Sequence, residues 1–477
     1  MGDHAGLAEA ARHGAVLPAL VLEPAEIARL AGNPRRAAYY CGAVGSLAND
    51  LVAAQTRLVC RRGPLVATVL RLVRERRATA VTWAAAYDVA SVRKQQALQS
   101  ALEEAGVRAT IVHDAPAVAP DETAAARAEG GGLGYRALVP YLTVWATQPR
   151  PPMTSRISFS SATIATEPLP QPQEFGACAL PEELLPAQHR VLSAFSRYLG
   201  GDALQYLSAR NVPAGTPTSR LSEALAFGVV SARSVLARID ERSRDPFLLS
   251  EERVSLRALE RAVAQRDFFL QLAWFFENEP DEALQSRMRG FPFATTHPAL
   301  EAWREGRTGF ALVDAGAREL LATGWMHPRV RAVSASFLCF DLGVDWRVGR
   351  DAWDRELIED TPALATGNWQ WVAGVGADLA QFPRIYNPQK QTRSFDPIGT
   401  YVRRWIPELA HASDADIAHL PAASQRQLTL PLFGRTPYPA PVIDHGIAAR
   451  AFLQRYANFT GRPITPPAPI PADRANR

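Results

Sequence analysis

The chain lacks the usual marks of secreted, membrane-spanning and metal-binding proteins. It has no uninterrupted run of 18 apolar residues, so we expect no transmembrane helix. Its N-terminus lacks the basic and apolar regions of a secretory signal. The four cysteines lie far apart and without a Cys-x-x-Cys pair, which argues against a zinc site and a disulfide framework. The sequence therefore predicts a cytoplasmic protein without a metal or a membrane contact.

Lysine is also nearly absent. Lys94 and Lys390 are the two lysines among 52 basic residues, and the net charge is +4. Such an excess of arginine suits phosphate binding by guanidinium groups, but it also fits the codon bias of an alanine-, arginine- and proline-rich genome, which we favour. Tryptophan, in contrast, is concentrated: eight of ten lie between Trp274 and Trp405. This concentration indicates that tryptophan side chains have a function in this segment.

Residues 1–145 alternate between short apolar runs and helix-like stretches. The clearest helical stretch is 91–105, with Ser91 as its expected N-cap. Strands separated by helices of this length predict a doubly wound α/β domain with a parallel sheet. The runs that suit buried parallel strands are 16–22, 58–60, 80–83 and 110–112.

The rest of the chain has a different pattern. Residues 146–183 are rich in proline, serine and threonine, which predicts a linker between domains. From 184 to 462 the pattern is helical with almost no strand signal, so we expect an all-α domain. Residues 463–477 are proline-rich, which predicts a disordered tail.

Three features of the helical half suit a ligand that is both aromatic and polar. The hydroxyl-rich stretch 218–222 precedes an apolar helix and provides donors for an anion such as a diphosphate, although an ordinary helix cap would look the same. Arg331 lies on an otherwise apolar helix, where it needs a partner. Tryptophan, arginine, asparagine and glutamine cluster in 367–374, 384–388 and 401–405.

Residues 309–409 resemble the flavin-binding core of the DNA photolyase/cryptochrome family. The matching phrases are TGWMHxRVR, VDWR, NWQWVAGxGAD, RIYNP and FDPxGxYVRRW. The stretch 218–222 resembles the family's diphosphate-binding turn, and 438–445 resembles its C-terminal phrase. The resemblance implies a photolyase-like fold, with an α/β N-terminal domain followed by an all-α domain that binds FAD.

The resemblance also implies roles for individual residues. Arg331 and Glu359 would form an ion pair beside the isoalloxazine ring. Trp369 and Trp346 match the proximal and middle members of a tryptophan electron-transfer chain, whose distal position is Phe293 here; Trp303 is a candidate substitute. The residues that would bind the rest of FAD are Tyr206, Thr218, Ser219, Leu221, Ser222 and Thr361.

In this family the substrate is DNA that contains a pyrimidine dimer, flipped into a pocket. Trp371 and Gln391 match positions that contact the dimer, and Arg329 is placed to bind phosphate. Four positions depart from the pattern and remove polar or aromatic contacts to the dimer or the flavin: Ala262, Gln265, Pro328 and Ala365. The sequence therefore leaves three functions open. The first is light-driven dimer repair, and the alternatives are a cryptochrome-like blue-light photoreceptor without repair activity and a paralogue that keeps only the fold.

A further departure lies at the N-terminus. The family begins with a central strand that carries a WFRRDLR-like phrase, whereas this sequence begins near the segment that follows it. Loss of a central strand would leave backbone groups unpaired. Either the true start lies upstream or the domain has rearranged. An antenna chromophore is therefore not expected. Separately, we expect the protein to be a monomer.

Overall fold

The computed structural model describes residues 3–126, 133–150, 157–159, 165–181, 185–215, 218–276, 282–359, 361–377, 383–420 and 438–462. The tail predicted at 463–477 lies outside these ranges, as do parts of the predicted linker. The domain boundaries at 145 and 183 stay predictions.

The described residues of the N-terminal half form four short parallel strands, each of which overlaps a predicted apolar run. They are β1 (Ala19–Leu22), β2 (Val59–Arg62), β3 (Ala80–Ala84) and β4 (Arg108–Val112). β1 pairs with β2 and β3 pairs with β4, so the strands form two separate pairs. No strand in the described part of the chain joins the two pairs. Helix α1 (Ala5–Ala11) packs against β3 and β4.

Helices alternate with these strands, as expected of an α/β domain. Helix α5 (Val89–Glu104) begins two residues before the predicted start because Asp88, not Ser91, is its N-cap: the Asp88 Oδ1 accepts the Ser91 N–H at 2.9 Å. The other helices of this half are α2 (Pro24–Ala31), α3 (Pro34–Ala53), α4 (Leu65–Arg76), α6 (Pro120–Ala125) and α7 (Leu138–Trp145).

The second half is helical, as predicted. Its centre is the 27-residue helix α12 (Ser250–Phe276), which contacts α7, α9, α11 and α17. The remaining helices are α8 (Gln188–Leu199), α9 (Tyr206–Ala209), α10 (Ser222–Ala226), α11 (Ala232–Ser243), α13 (Leu300–Glu305), α14 (Ala311–Thr323), α15 (Pro328–Ser336), α16 (Trp346–Asp354), α17 (Pro362–Val372), α18 (Pro388–Phe395), α19 (Thr400–Trp405), α20 (Asp414–His419) and α21 (His445–Thr460).

Two hydrophobic clusters hold the helices together. One surrounds α12 and includes Phe195, Leu236 and Phe268, all at most 1% exposed. The other joins the helices from α13 to α21 and includes Phe340 and Tyr401, which are fully buried. Burial of this much apolar surface is the main stabilising contribution to the helical half.

Buried polar contacts tie the two halves to each other. The Oδ2 of Asp267, on α12, accepts hydrogen bonds from the N–H groups of Ala117 and Val118 and from the Trp145 indole, at 2.8, 3.2 and 3.0 Å. Arg36, on α3, is 1% exposed and donates to the carbonyl oxygen of Leu357 at 3.0 Å. These contacts fix the α/β half against the helical half.

No helix within the described ranges combines the length and the apolar character that crossing a membrane requires.

Candidate functional site

A cavity of about 440 Å³ lies in the helical half, between α10, α12, α15, α16 and α17. We call it the central cavity. It brings together all eight residues that the sequence predicted to bind FAD, although they are spread over more than 150 positions of the chain. They are Tyr206, Thr218, Ser219, Leu221, Ser222, Arg331, Glu359 and Thr361, and the predicted electron carrier Trp369 lines the cavity as well.

One wall of the central cavity is the hydroxyl-rich turn 218–222. Arg220, at the middle of the turn, has a φ of +52°, in the left-handed region that L-residues rarely adopt. Its guanidinium lies 3.7 Å from the ring centroid of Trp325, and this cation–π contact helps to hold the turn. The turn therefore presents Ser219 and Ser222 to the cavity, where hydroxyl groups and the N–H groups of a helix start suit an anion.

The predicted ion pair is present beside this turn. The Arg331 Nη1 donates to the Glu359 Oε1, and the Arg331 Nε donates to the Met326 carbonyl oxygen at 2.8 Å. The two side chains are 21% and 22% exposed, and both line the central cavity. Burial acts to raise the pKa of Glu359, but Arg331 and the Ser222 hydroxyl hold that pKa below its ordinary value. Glu359 therefore stays ionised beside Arg331.

A second carboxyl group lies beside this pair and was missed by the sequence analysis. Glu223 is 8% exposed, and its Oε2 accepts a hydrogen bond from the Ser222 hydroxyl at 3.1 Å. Burial and the charge of Glu359 raise the pKa of Glu223. The signal that could have identified Glu223 is its position directly after Ser222. It was overlooked because an acidic residue in the first turn of a helix is common.

Three indoles line the central cavity: Trp325, Trp353 and Trp369. The rings of Trp353 and Trp369 have centroids 4.5 Å apart, and Trp303 contacts both at 6.0 and 6.5 Å. Trp353 was missed by the sequence analysis because it lies outside the recognised phrases. The cavity thus combines an anion-binding turn, a guanidinium–carboxylate pair and easily oxidised aromatic rings.

Family models account for most of the chain. The model described as the FAD binding domain of DNA photolyase matches residues 259–458, and the DNA photolyase model matches residues 1–157. A deoxyribodipyrimidine photo-lyase of Halobacterium salinarum is 32% identical over 86% of this chain and 85% of its own length. The chain belongs to the DNA photolyase/cryptochrome family.

Other members of the photolyase/cryptochrome family cover the chain almost completely. A deoxyribodipyrimidine photo-lyase of a Synechococcus species is 30% identical over 96% of this chain and 94% of its own length. The class III photolyase of Agrobacterium tumefaciens superposes with a TM-score of 0.80 at 28% identity, covering 96% of this chain and 95% of that one. A cryptochrome of Synechocystis superposes with a TM-score of 0.83 at 25% identity, covering 95% and 96%. The predicted family and photolyase-like fold are thereby confirmed.

The residues of the central cavity fit FAD, the cofactor of this family. The hydroxyl groups of Ser219 and Ser222 suit its diphosphate, and Arg331 provides a cation for the polar edge of the flavin ring. The indole faces of Trp353 and Trp369 supply apolar surface for a flat aromatic ring. This donor set, together with the matched FAD-binding domain, identifies the chain as an FAD-binding member of the photolyase family.

Three departures from the photolyase pattern also line the central cavity: Ala262, Pro328 and Ala365. None of these side chains donates or accepts a hydrogen bond. Gln265 is not among the described lining residues. The cavity is thus more apolar than the family pattern leads one to expect, at positions where that pattern contacts a dimer or the flavin.

The predicted DNA-contacting residues lie elsewhere among the described residues. Arg329 donates to the Asn211 Oδ1 from its Nη2 at 2.8 Å, and Trp371 packs edge-on against Phe269. The Gln391 Oε1 is buried without a hydrogen-bond partner. None of the three predicted residues is among the described residues that line the central cavity. Their contact with DNA stays a prediction.

The other predicted electron carriers are outside the cavity lining as well. Trp346 is 1% exposed on α16, with the guanidinium groups of Arg347 and Arg350 at 5.1 and 5.3 Å from its ring centroid. Phe293, at the predicted distal position, packs against Phe291 at 4.7 Å in a phenylalanine cluster. A phenyl ring is harder to oxidise than an indole, so this position does not continue a tryptophan chain.

Replacement of Gly349 by alanine tests how tightly Trp369 is held. A Cβ at this position would lie 2.2 Å from Cη2 of Trp369 and 2.4 Å from Cδ2 of Leu338. We expect the Gly349→Ala variant to lose about 1–3 kcal/mol of unfolding free energy, because overpacking of a core forces side chains from their rotamers. Urea denaturation measures the loss, and near-UV circular dichroism reports the displaced indole. An unchanged near-UV spectrum would contradict the close packing.

Proposed function

We propose that this protein is a light-dependent deoxyribodipyrimidine photo-lyase, which splits cyclobutane pyrimidine dimers in DNA. The observation that carries the proposal is the central cavity, which combines the 218–222 turn, the Arg331–Glu359 pair and Trp369. Relatives at 30% and 32% identity over most of the chain bear the name of this enzyme, which supports the proposal. When bound, FAD supplies light absorption and the electron that splits the dimer.

The residues of the central cavity would bind FAD and orient its ring. When FAD is bound, Thr218 and Ser219 would hold its diphosphate by hydrogen bonds, whereas the Ser222 hydroxyl donates to Glu223. Arg331, fixed by Glu359 and by the Met326 carbonyl oxygen, presents its guanidinium in one orientation at the ring. Leu259 and Val263 of α12 give the cavity an apolar wall. A ligand that covers this wall would leave the electrostatic contacts inside the cavity less screened by water.

The proposed partner is DNA that contains pyrimidine dimers. A dimer must leave the base stack to reach the cavity, and a damaged step costs less to unstack than an intact one. Arg329, Trp371 and Gln391 are the proposed DNA-contacting residues, although the first is held by Asn211. We also propose that the protein acts as a monomer in the cytoplasm. Four cysteines without a disulfide support that compartment.

The second candidate function is a cryptochrome-like photoreceptor that binds FAD but does not repair DNA. Ala262 and Pro328 favour it, because they line the cavity without offering hydrogen bonds to a dimer. Each missing contact to a buried polar base edge costs about 1–3 kcal/mol of affinity. The Synechocystis cryptochrome has the same fold over 95% of this chain, so the fold does not separate the two functions.

A repair assay separates them. Protein with fully reduced flavin is mixed with ultraviolet-irradiated oligothymidine and exposed to blue light, while absorbance near the thymine band is recorded. We expect the absorbance to recover in the light and not in the dark, because splitting the dimer restores the conjugated bases. A Ser219→Ala/Ser222→Ala variant serves as the control with weakened flavin binding. A protein that holds flavin yet leaves the dimers intact is instead a photoreceptor.

A further inference from the structure

The indoles of the central cavity differ in their electrostatic surroundings. Trp325, Trp353 and Trp369 all line it, but a guanidinium contacts the ring of Trp325, whereas Trp353 and Trp369 contact each other. We infer that Trp353 is a second light-driven electron donor beside Trp369. This inference rests on the proposed function, because it requires FAD in the central cavity.

Contact and burial support this role for Trp353. Its ring lies 4.5 Å from that of Trp369, within the range of direct aromatic contact. Trp303 contacts both rings, and its centroid lies 6.0 Å from that of Trp353 with 17° between the ring planes. The three indoles thus form one contact cluster. All three indoles are at most 8% exposed, so water does not separate them from a ligand or from each other.

Trp325 is not an equivalent donor. A cation over an indole face stabilises the neutral ring and repels the radical cation that electron loss would leave. The Arg220 guanidinium contacts the Trp325 ring directly, 3.7 Å from its centroid, whereas Glu223, Glu319 and Glu359 act on this guanidinium through their charges. Trp346, the predicted middle member of the chain, does not line the central cavity, so it reaches a bound ring only through another indole. Among the indoles that line the cavity, Trp353 and Trp369 remain as direct donors.

The proposed step moves one electron and breaks no bond. Light absorbed by oxidised FAD allows one electron to pass from the Trp353 indole to the flavin, which leaves a radical cation on the indole. Trp303 shares this charge but donates its N–H to the carbonyl oxygen and hydroxyl of Ser334, at 3.2 and 3.0 Å, and neither acceptor is a strong base. A charge that reaches Trp303 therefore leaves the proton on that ring. The electron returns from the flavin to the indole, which restores both groups without a further reactant.

The fluorescence of bound oxidised FAD tests the inference, because electron transfer from an indole quenches it. The measurement uses the holoprotein and the variants W369F, W353F and W369F/W353F, each normalised to bound flavin by absorbance. If the two donors have similar rates, each single variant lengthens the fluorescence lifetime about twofold, and the double variant lengthens it by about tenfold or more. We expect W325F to change the lifetime far less than W353F, and W274F, outside the described cavity lining, to leave it unchanged.

Two further outcomes decide the matter. If W369F alone restores the full lifetime, Trp353 is not a donor and the inference is wrong. Transient absorption of W369F provides a second reading that does not depend on the folding of W353F: an indole radical cation must still form in this variant, and its absence overturns the inference. A wild-type protein without flavin fails at the absorbance step, before any illumination, and this result removes the proposed function and the inference together.

Discussion

Replacement of Asp267 by alanine is expected to lower the free energy of unfolding by at least about 3 kcal/mol, because three buried donors lose their acceptor and each unsatisfied group costs about 1–3 kcal/mol. The donors are the N–H groups of Ala117 and Val118 and the Trp145 indole. Asp267 is 1% exposed, so water does not replace the missing acceptor. Urea denaturation of the Asp267→Ala variant measures the loss.

Two control variants separate the acceptor from the charge. Asp414→Ala removes a 57% exposed carboxylate paired with Arg403 and is expected to cost less than about 1 kcal/mol.

Asp267→Asn keeps an oxygen acceptor but cannot ionise. Burial raises the pKa of Asp267 to about 6, so the folded wild type binds this proton more tightly than the unfolded chain does. Wild-type stability therefore falls as the pH rises through 6, and Asp267→Asn gains relative to wild type. Equal losses in Asp267→Ala and Asp414→Ala would contradict this role.

The importance of Asp267 also shows a limit of sequence reasoning. The four apolar runs overlap the four strands, because parallel strands that alternate with helices are typically continuous hydrophobic segments, although β3 and β4 are only partly buried. The helix 91–105 was predicted with an incorrect N-cap, since serine and aspartate cap helices about equally well. The partners of Asp267 lie at least 122 positions away in sequence, on separate elements. Only the folded chain brings them together.

In the candidate site, too, some contacts could be predicted from the sequence and others could not. Arg331 on an apolar helix requires a buried partner, and the family resemblance pointed to Glu359; the structure contains the pair. Trp353 lies outside any recognised phrase, so its contact with Trp369 was not predictable from either motif or spacing. A family resemblance assigns roles only to the positions that match a family motif. It therefore gave no role to Trp353, which lies outside those motifs.

Replacement of Arg331 by leucine is expected to weaken FAD binding about 100-fold and to lower the free energy of unfolding by about 3 kcal/mol, because removal of one partner leaves a buried charge unpaired. The remaining charge is Glu359, which keeps its position in the cavity wall. The variant also loses the hydrogen bond from the Arg331 Nε to the Met326 carbonyl oxygen. Equilibrium dialysis against FAD and urea denaturation measure the two losses separately.

The pH dependence of the Arg331→Leu variant is the more discriminating test. In wild type the pKa of Glu359 lies below its ordinary value, so the pair contributes stability at neutral pH that is lost as the pH falls through this lowered pKa. Without Arg331, burial raises the pKa of Glu359, and mild acidification should then stabilise the variant. An Arg331→Leu/Glu359→Gln variant, which carries no charge at the pair, should recover folding stability at neutral pH but not FAD binding. Stability that falls on mild acidification as steeply in Arg331→Leu as in wild type would show that the pair does not set the charge of this cavity.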